Sequence, residues 1–383
     1  MKVAIVHDWL NQIGGAEAVL GVLKEMYPQA PIYTSIYWPA AMPPEYRAWD
    51  IRTSFMDRLP FVKRRHQAFL PLYPLAFEQF DLSEVDLVIS NKSGFCHGVI
   101  TPPQTTHICY CLTPTRFLWN TREYVERERV GRLARAVLPL FLNYLRLWDR
   151  LAADRVDHFV AISRTVQARI RKIYRRESTI IHPPVDVGRF APSEVHDNYF
   201  LIVSRLIPYK RLDIAVRAFN QLGLPLLVVG DGRDRARLEA LAKPNVRFLG
   251  RLPDEQVREV MARCRALIFP GLEDFGLTPI EAQAAGRPVI AYAGGGALET
   301  VVEGVTGTFF HEQSPEALAE VVARFDDRRY DPQAIRQHAA QFDVAVFKEK
   351  LEKFVREKLA ERRSSSKFPM PWGAESVSER CLW

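Results

Sequence analysis

Cysteine is scarce: Cys96, Cys109, Cys111, Cys264 and Cys381 are the only five in 383 residues, an odd number with no Cys-x-x-Cys spacing. That usage argues against a disulfide framework or a structural zinc site and fits a reducing cytosol. No apolar run approaches the ~18 residues that a bilayer span requires, so no integral membrane helix is expected. A signal peptide is not expected either, because the short apolar run after Met1 ends at His7 and Asp8 without a small-residue cleavage site. Acidic residues are outnumbered, 45 against 52 basic ones. What is present is ordinary globular composition, 48% hydrophobic and 25% charged, in a chain long enough for two domains.

Through the first half, β-branched apolar segments recur at Val3 to Val6, Leu87 to Ser90, His107 to Cys111, His158 to Ile162 and Ser178 to Ile181, with longer helical stretches between them. The alternation predicts a parallel sheet wrapped by helices. Ligand loops are then expected at strand ends, over Asn91 to Thr106 and Pro114 to Trp119. His182-Pro183-Pro184 ends the last strand, since prolines cannot continue a ladder. The rhythm restarts with strands near Phe200, Leu226, Val246, Ala266, Pro288 and Thr308. The spacing of Phe342, Phe347, Leu351, Phe354 and Leu359 predicts a long terminal helix. The reading is an α/β protein of two Rossmann-like domains, 1–190 and 191–342, with a helix over 343–361 returning to the first domain and a mobile tail over 362–383.

Three constellations can carry chemistry. Gly14-Gly15-Ala16-Glu17 falls between a strand and an apolar-periodic helix, where glycines admit a ligand to the backbone and helix N–H groups face phosphate. A plain tight turn explains the pair equally. Arg205 and Lys210 can converge on one anion or stand as two solvated cations. The third runs from Glu273 through Asp274, Phe275, Gly276, Leu277, Thr278, Pro279 and Ile280 to Glu281. Thr278 as N-cap and Pro279 as first helical residue would start a helix there. The N–H groups of Gly276, Leu277 and Thr278 would then face a phosphate, with Glu273 and Glu281 on its two sides. Carboxylates so placed suit a ribose and a sugar ring, or else are a capping acid and a surface acid.

In combination, Gly14 to Glu17, Ser204-Arg205 with Pro208 and Lys210, Val228 to Gly232, and the spacing of Glu273 and Glu281 resemble family 4 glycosyltransferases of the GT-B fold, from residue 1 to about 360. The resemblance implies two Rossmann-like domains facing a cleft, with a nucleotide sugar on the second and an acceptor on the first, and a retaining transfer. It makes Arg205, Lys210 and Glu273 the catalytic set, the cations on the leaving diphosphate and Glu273 on the donor sugar. It gives donor binding to Gly15, Gly230, Leu252, Phe275, Gly276, Leu277, Thr278 and Glu281, the last on the ribose. Cations and a helix dipole can stabilise a departing nucleotide without a metal. Asp-x-Asp occurs nowhere in the sequence, so no metal and no cofactor is expected.

His107 to Trp119, Arg146 to Asp149 and His182 to Asp186 are similar to a mannosyltransferase branch that uses GDP-mannose in bacterial O-antigen or exopolysaccharide assembly. Leu112 stands where that branch commonly carries a His, so a UDP-sugar-dependent transferase, an epimerase or phosphorylase on the same fold, and an inactive subunit stay open. His107, Cys109 and Cys111 read as structural.

From Arg116 to Arg176 there are fifteen Arg or Lys against six Asp or Glu. This block belongs to the acceptor half. Arg116, Trp119, Arg132 and Arg135 are its candidates for a glycan or polyprenyl-diphosphate acceptor and for peripheral contact with an anionic membrane, the alternative being a solvated face. Pro139 is expected to limit any single helix there. Nucleic acid is not an expected partner, because the motif loops carry acids and glycines rather than stacking aromatics among cations.

Overall fold

The structure, a computed structural model, describes residues 1–119, 132–193 and 196–365, apart from the side chains of 132–138, 363 and 365. The first half contains β1 (Val3–His7), α1 (Gly15–Met26), β2 (Ile32–Thr34), β3 (Ile51–Thr53), α2 (Val62–Arg65), α3 (Tyr73–Glu78), β4 (Leu87–Lys92), β5 (Thr106–Cys111), α4 (Arg116–Trp119), α5 (Arg132–Ala152), β6 (His158–Ala161), α6 (Arg164–Tyr174) and β7 (Ser178–Ile180). The second contains β8 (Phe200–Val203), α7 (Leu212–Leu222), β9 (Leu226–Val229), α8 (Arg235–Leu241), β10 (Val246–Gly250), α9 (Asp254–Arg263), β11 (Ala266–Phe269), α10 (Leu277–Ala284), β12 (Val289–Tyr292), α11 (Ala297–Thr300), β13 (Gly307–Phe310), α12 (Pro315–Arg324), α13 (Pro332–Ala339) and α14 (Val344–Ser365).

Two parallel sheets result, ordered β3-β2-β1-β4-β5-β6-β7 and β10-β9-β8-β11-β12-β13. All six residues of β4 and of β5 are buried, as strands covered by helices on both faces must be. In each sheet the order reverses beside the first strand: β1 lies between β2 and β4, and β8 between β9 and β11. Loops leaving the carboxyl ends of strands at such a reversal splay apart and open a crevice. The Gly14-Gly15 turn follows β1, the Arg205–Lys210 segment follows β8, and Glu273 follows β11.

Several expectations need correction. β2 and β3, three residues each, are too short to show a readable alternation and are absent from the sequence reading. α5 runs unbroken through Pro139, which is exposed, so the missing N–H bond lies in water. α14 passes the expected end at 361 because Arg362 donates to Thr106 Oγ1 at 2.8 Å and to the Pro103 carbonyl, tying the last turns to the first domain. Phe347, Leu351, Phe354 and Val355 of α14 join the same core as Ile5, Tyr110 and Val160. Residues 366–383 of the expected tail lie outside the described residues.

Under α5 the first domain buries a charged network. Lys92 Nζ stands 3.9 Å from Asp149 Oδ1, and neither side chain is exposed. Asp149 also accepts from Thr115 Oγ1 (2.7 Å), Trp119 Nε1 (2.8 Å) and Tyr174 Oη (2.9 Å). Burial works against the Lys92 charge, but the Asp149 carboxylate, with smaller help from other groups, outweighs it and leaves the pKa above its ordinary value. His107 is buried against Ser90 (2.8 Å) with its pKa pushed down to about 4 by desolvation, the structural role read from sequence. Cys109 and Cys111 are free and buried. Removing one partner of a buried ion pair strands the other, so Asp149→Ala is expected to lose about 3–5 kcal/mol of unfolding free energy. Denaturant titration checks this; a loss under about 1 kcal/mol would mean the network is dispensable.

Candidate active site between the domains

The loops at the two reversals meet. Gly230 has φ +126° and a Cβ there would fall 1.9 Å from Ser204 O, so only glycine lets the β9 loop lie against the β8 loop that carries Arg205. Leu206 N donates to Asp231 O (3.0 Å) across the same contact. Gly230, expected from sequence at a donor contact, thus also shapes the loop by packing. Leu252 is half-buried beyond β10 and packs on the second domain's core.

Lys210 closes a 3-10 turn over Pro208–Lys210, and its Nζ lies 2.5 Å from Glu273 Oε1, with both side chains largely shielded. Lys210 was expected to converge with Arg205 on an anion that Glu273 borders; in this structure Lys210 and Glu273 pair directly. Arg205 is exposed, with Nη2 donating to Tyr209 Oη at 3.4 Å. The Tyr209 ring also lies beside Lys210 Nζ (5.5 Å) and the guanidinium of Arg116 (5.2 Å). These three cations and Glu273 thus surround one tyrosine at the cleft.

α10 begins at Leu277 with Gly276, φ +94°, as its cap. Thr278 is not the N-cap and Pro279 is not the first helical residue: the left-handed turn at glycine starts the helix earlier, leaving proline within the first turn, where its missing N–H is tolerated. Across the cleft, a Cβ on Gly15 would come within 2.9 Å of Leu277 Cδ1, so the glycine turn of the first domain touches α10 of the second. The Phe275 side chain is a packing group. Its ring is buried, stacked on His182 at 5.2 Å and 5.6 Å from Phe342. A run the sequence reading passed over, Gly294-Gly295-Gly296, braces this loop, with Gly296 N donating to Glu273 O at 2.9 Å.

Asp274 is the largest surprise. Its Oδ2 lies 2.6 Å from Arg116 Nη2, and its Oδ1 accepts from Arg169 Nη1, both arginines belonging to the first domain. Burial opposes the Arg116 charge, but Asp274 overrides it and raises the pKa. Arg116, offered from sequence to the acceptor or lipid side, thus makes an interdomain contact, and Trp119 donates Nε1 to Asp149 Oδ2 while staying half-buried. The side chains of Arg132 and Arg135 lie outside the described residues. A second tether joins Arg164 N to Glu299 Oε1 (2.8 Å).

Glu281 sits on α10, and its carboxylate has no hydrogen-bond or ion-pair partner among the described residues. Burial first, then the Asp254 carboxylate, pushes its pKa up to about 7, with Arg189 opposing. An acid whose folded pKa is raised binds more protons folded than unfolded, so it destabilises increasingly as pH rises from its ordinary 4.5 through about 7. Glu281→Gln is accordingly expected to stabilise the fold at pH 8 relative to its effect at pH 4.5, measured as Tm. An effect equal at both pH values would contradict the assignment. Among the described residues no group of three or more His, Cys, Asp or Glu is placed to hold a metal ion.

Residues 189–342 match the family model described as glycosyl transferases group 1. The GDP-mannose-dependent monoacylated alpha-(1-6)-phosphatidylinositol monomannoside mannosyltransferase of Corynebacterium glutamicum is 30% identical over 210 residues, covering 46% of this chain and 55% of that protein. The D-inositol 3-phosphate glycosyltransferase of Streptomyces avermitilis is 29% identical over 211 residues, 47% of this chain and 44% of that protein. The chain spans about half the length of the curated relatives it matches. Among solved structures, Anabaena HepE in complex with UDP-glucose aligns at TM-score 0.68 and 18% identity over 93% of this chain and all of that one (100%). The sucrose-phosphate synthase of Thermosynechococcus elongatus aligns at TM-score 0.71 and 18% identity over 94% and 100%. The two domains have the GT-B architecture, and residues 189–342 are similar to the glycosyl transferases group 1 family.

Proposed function

We propose that the protein is a retaining glycosyltransferase that moves a sugar from a nucleotide sugar on the second domain to a glycan or lipid-linked glycan on the first, in cell-surface polysaccharide assembly. The observation that carries this reading is the meeting of Lys210, Glu273 and the start of α10 with the Gly14-Gly15 turn at the crevice between two switch points. A donor diphosphate there takes Arg205 and Lys210 as counter-charges and the first N–H groups of α10 as donors, which lowers the barrier by meeting the negative charge that grows on the leaving nucleotide. Lys210 then exchanges Glu273 for phosphate, and the freed carboxylate accepts from hydroxyls of the donor sugar. Glu281 accepts from the ribose in the same way.

GDP-mannose is the first donor reading, supported by mannosyltransferases among the relatives. A UDP-sugar is the second, favoured by the UDP-glucose held by the HepE structure and by Leu112. The exposed stripe of Leu140, Tyr144, Leu147 and Leu151 along α5 is the face we assign to an anionic membrane surface. No helix among the described residues is long and apolar enough to cross one.

Thermal-shift titration with GDP, UDP, ADP and their sugar conjugates, in EDTA, is expected to single out one base; no response to any of them would contradict the reading. With the donor so chosen, Arg205→Ala should lower kcat by about a hundredfold, the scale for losing one transition-state donor. Turnover near wild type would remove Arg205 from the catalytic set.

A further inference from the structure

Beside the Gly14-Gly15 turn the first domain has a cavity of about 580 Å³ that the donor reading leaves unused; Asn11, Gln12, Lys63, Arg64, Arg65 and His66 line it. Its rim is cationic because three basic residues follow one another in α2. Lys63 is already paired with Asp57 at 3.2 Å. Arg64 and Arg65 are exposed and have no ion pair among the described residues, and Arg64 is steadied over the Trp38 ring at 5.7 Å. Two unpaired guanidinium groups on a concave surface attract an anion with several acceptor oxygens, and a phosphate fits their fork geometry.

The floor of the cavity is equally specific. Asn11 Nδ2 donates to Lys63 O (2.9 Å), tying the glycine loop to the cationic turn. His66 is fixed by Tyr73 Oη (2.9 Å) and by the Trp9 ring at 4.8 Å, so the wall is rigid. Asn11 and Gln12 lead within three residues to Gly15, which touches Leu277 of α10.

We infer that this cavity is an anion subsite for the acceptor: Arg64 and Arg65 hold a phosphate group of that molecule. The inference rests on the transferase reading for the word acceptor, but not for the binding of phosphate. The phosphate belongs either to a soluble phosphorylated sugar or polyol or to a lipid.

Calorimetric titration of the full chain with inorganic pyrophosphate tests it, run with the donor site filled by the nucleoside diphosphate that the protein binds. Saturable binding is expected, weakened about tenfold in Arg64→Ala/Arg65→Ala, since a charge-assisted contact contributes on that scale. The same variant should keep its Tm and its nucleotide affinity, because both side chains are exposed and belong neither to the Arg205–Lys210 segment nor to α10. A second arm presents phosphate as lipid, on phosphatidylcholine vesicles containing phosphatidic acid. Retention that depends on Arg64 and Arg65 assigns a lipid phosphate, and pyrophosphate binding without such retention assigns a soluble one. No arginine-dependent binding in either arm, with nucleotide affinity intact, overturns the subsite alone; loss of nucleotide binding in the wild type would instead strike the transferase reading.

Discussion

Asp274 decides how the two halves of this molecule work as one. A carboxylate at 8% exposure requires compensation, and it finds two guanidinium groups, both supplied by the other domain. Its neighbours in sequence have separate tasks: Glu273 pairs with Lys210 at the cleft, and Phe275 plugs the core formed with His182 and Phe342. Three consecutive residues thus face the site, the interface and the core. A shift in any of them must move the start of α10.

The clamp is itself set from below. Asp149, buried beside Lys92, accepts from Thr115 on one side of Arg116 and from Trp119 on the other. The four-residue helix α4 is therefore anchored at both ends, which aims Arg116 at Asp274 and at the Tyr209 ring. A charge buried in the first domain thereby fixes a loop of the second. Such a chain is energetically expensive to assemble, and its return is geometric: a cleft loop held in one position has less freedom to lose when a ligand is bound.

Much of this was legible in the sequence. The six strands of the second domain announced themselves through short apolar runs, with Arg205 and Glu273 each after a strand; that those two strands are neighbours came from the structure. The pairing of Arg116 with Asp274 was not legible, because 158 positions of sequence separation leave no periodic trace and charge pairs follow from topology alone. Thr278 and Pro279 misled for a local reason, since glycine at positive φ is a rarer helix start than threonine before proline. The acid at 149 looked like one of six anions in a basic block; only the structure shows it enclosed by lysine, threonine, tryptophan and tyrosine.

A double-mutant cycle between Arg116 and Asp274 tests the dependence of the site on this interface most directly. Unfolding free energies of wild type, Arg116→Ala, Asp274→Ala and the double variant would be measured in denaturant. The account predicts a coupling of about 1–3 kcal/mol, the range for residues sharing a partly buried ionic contact. Additivity within about 0.3 kcal/mol would contradict it, showing that the two domains are held in register by something other than Asp274.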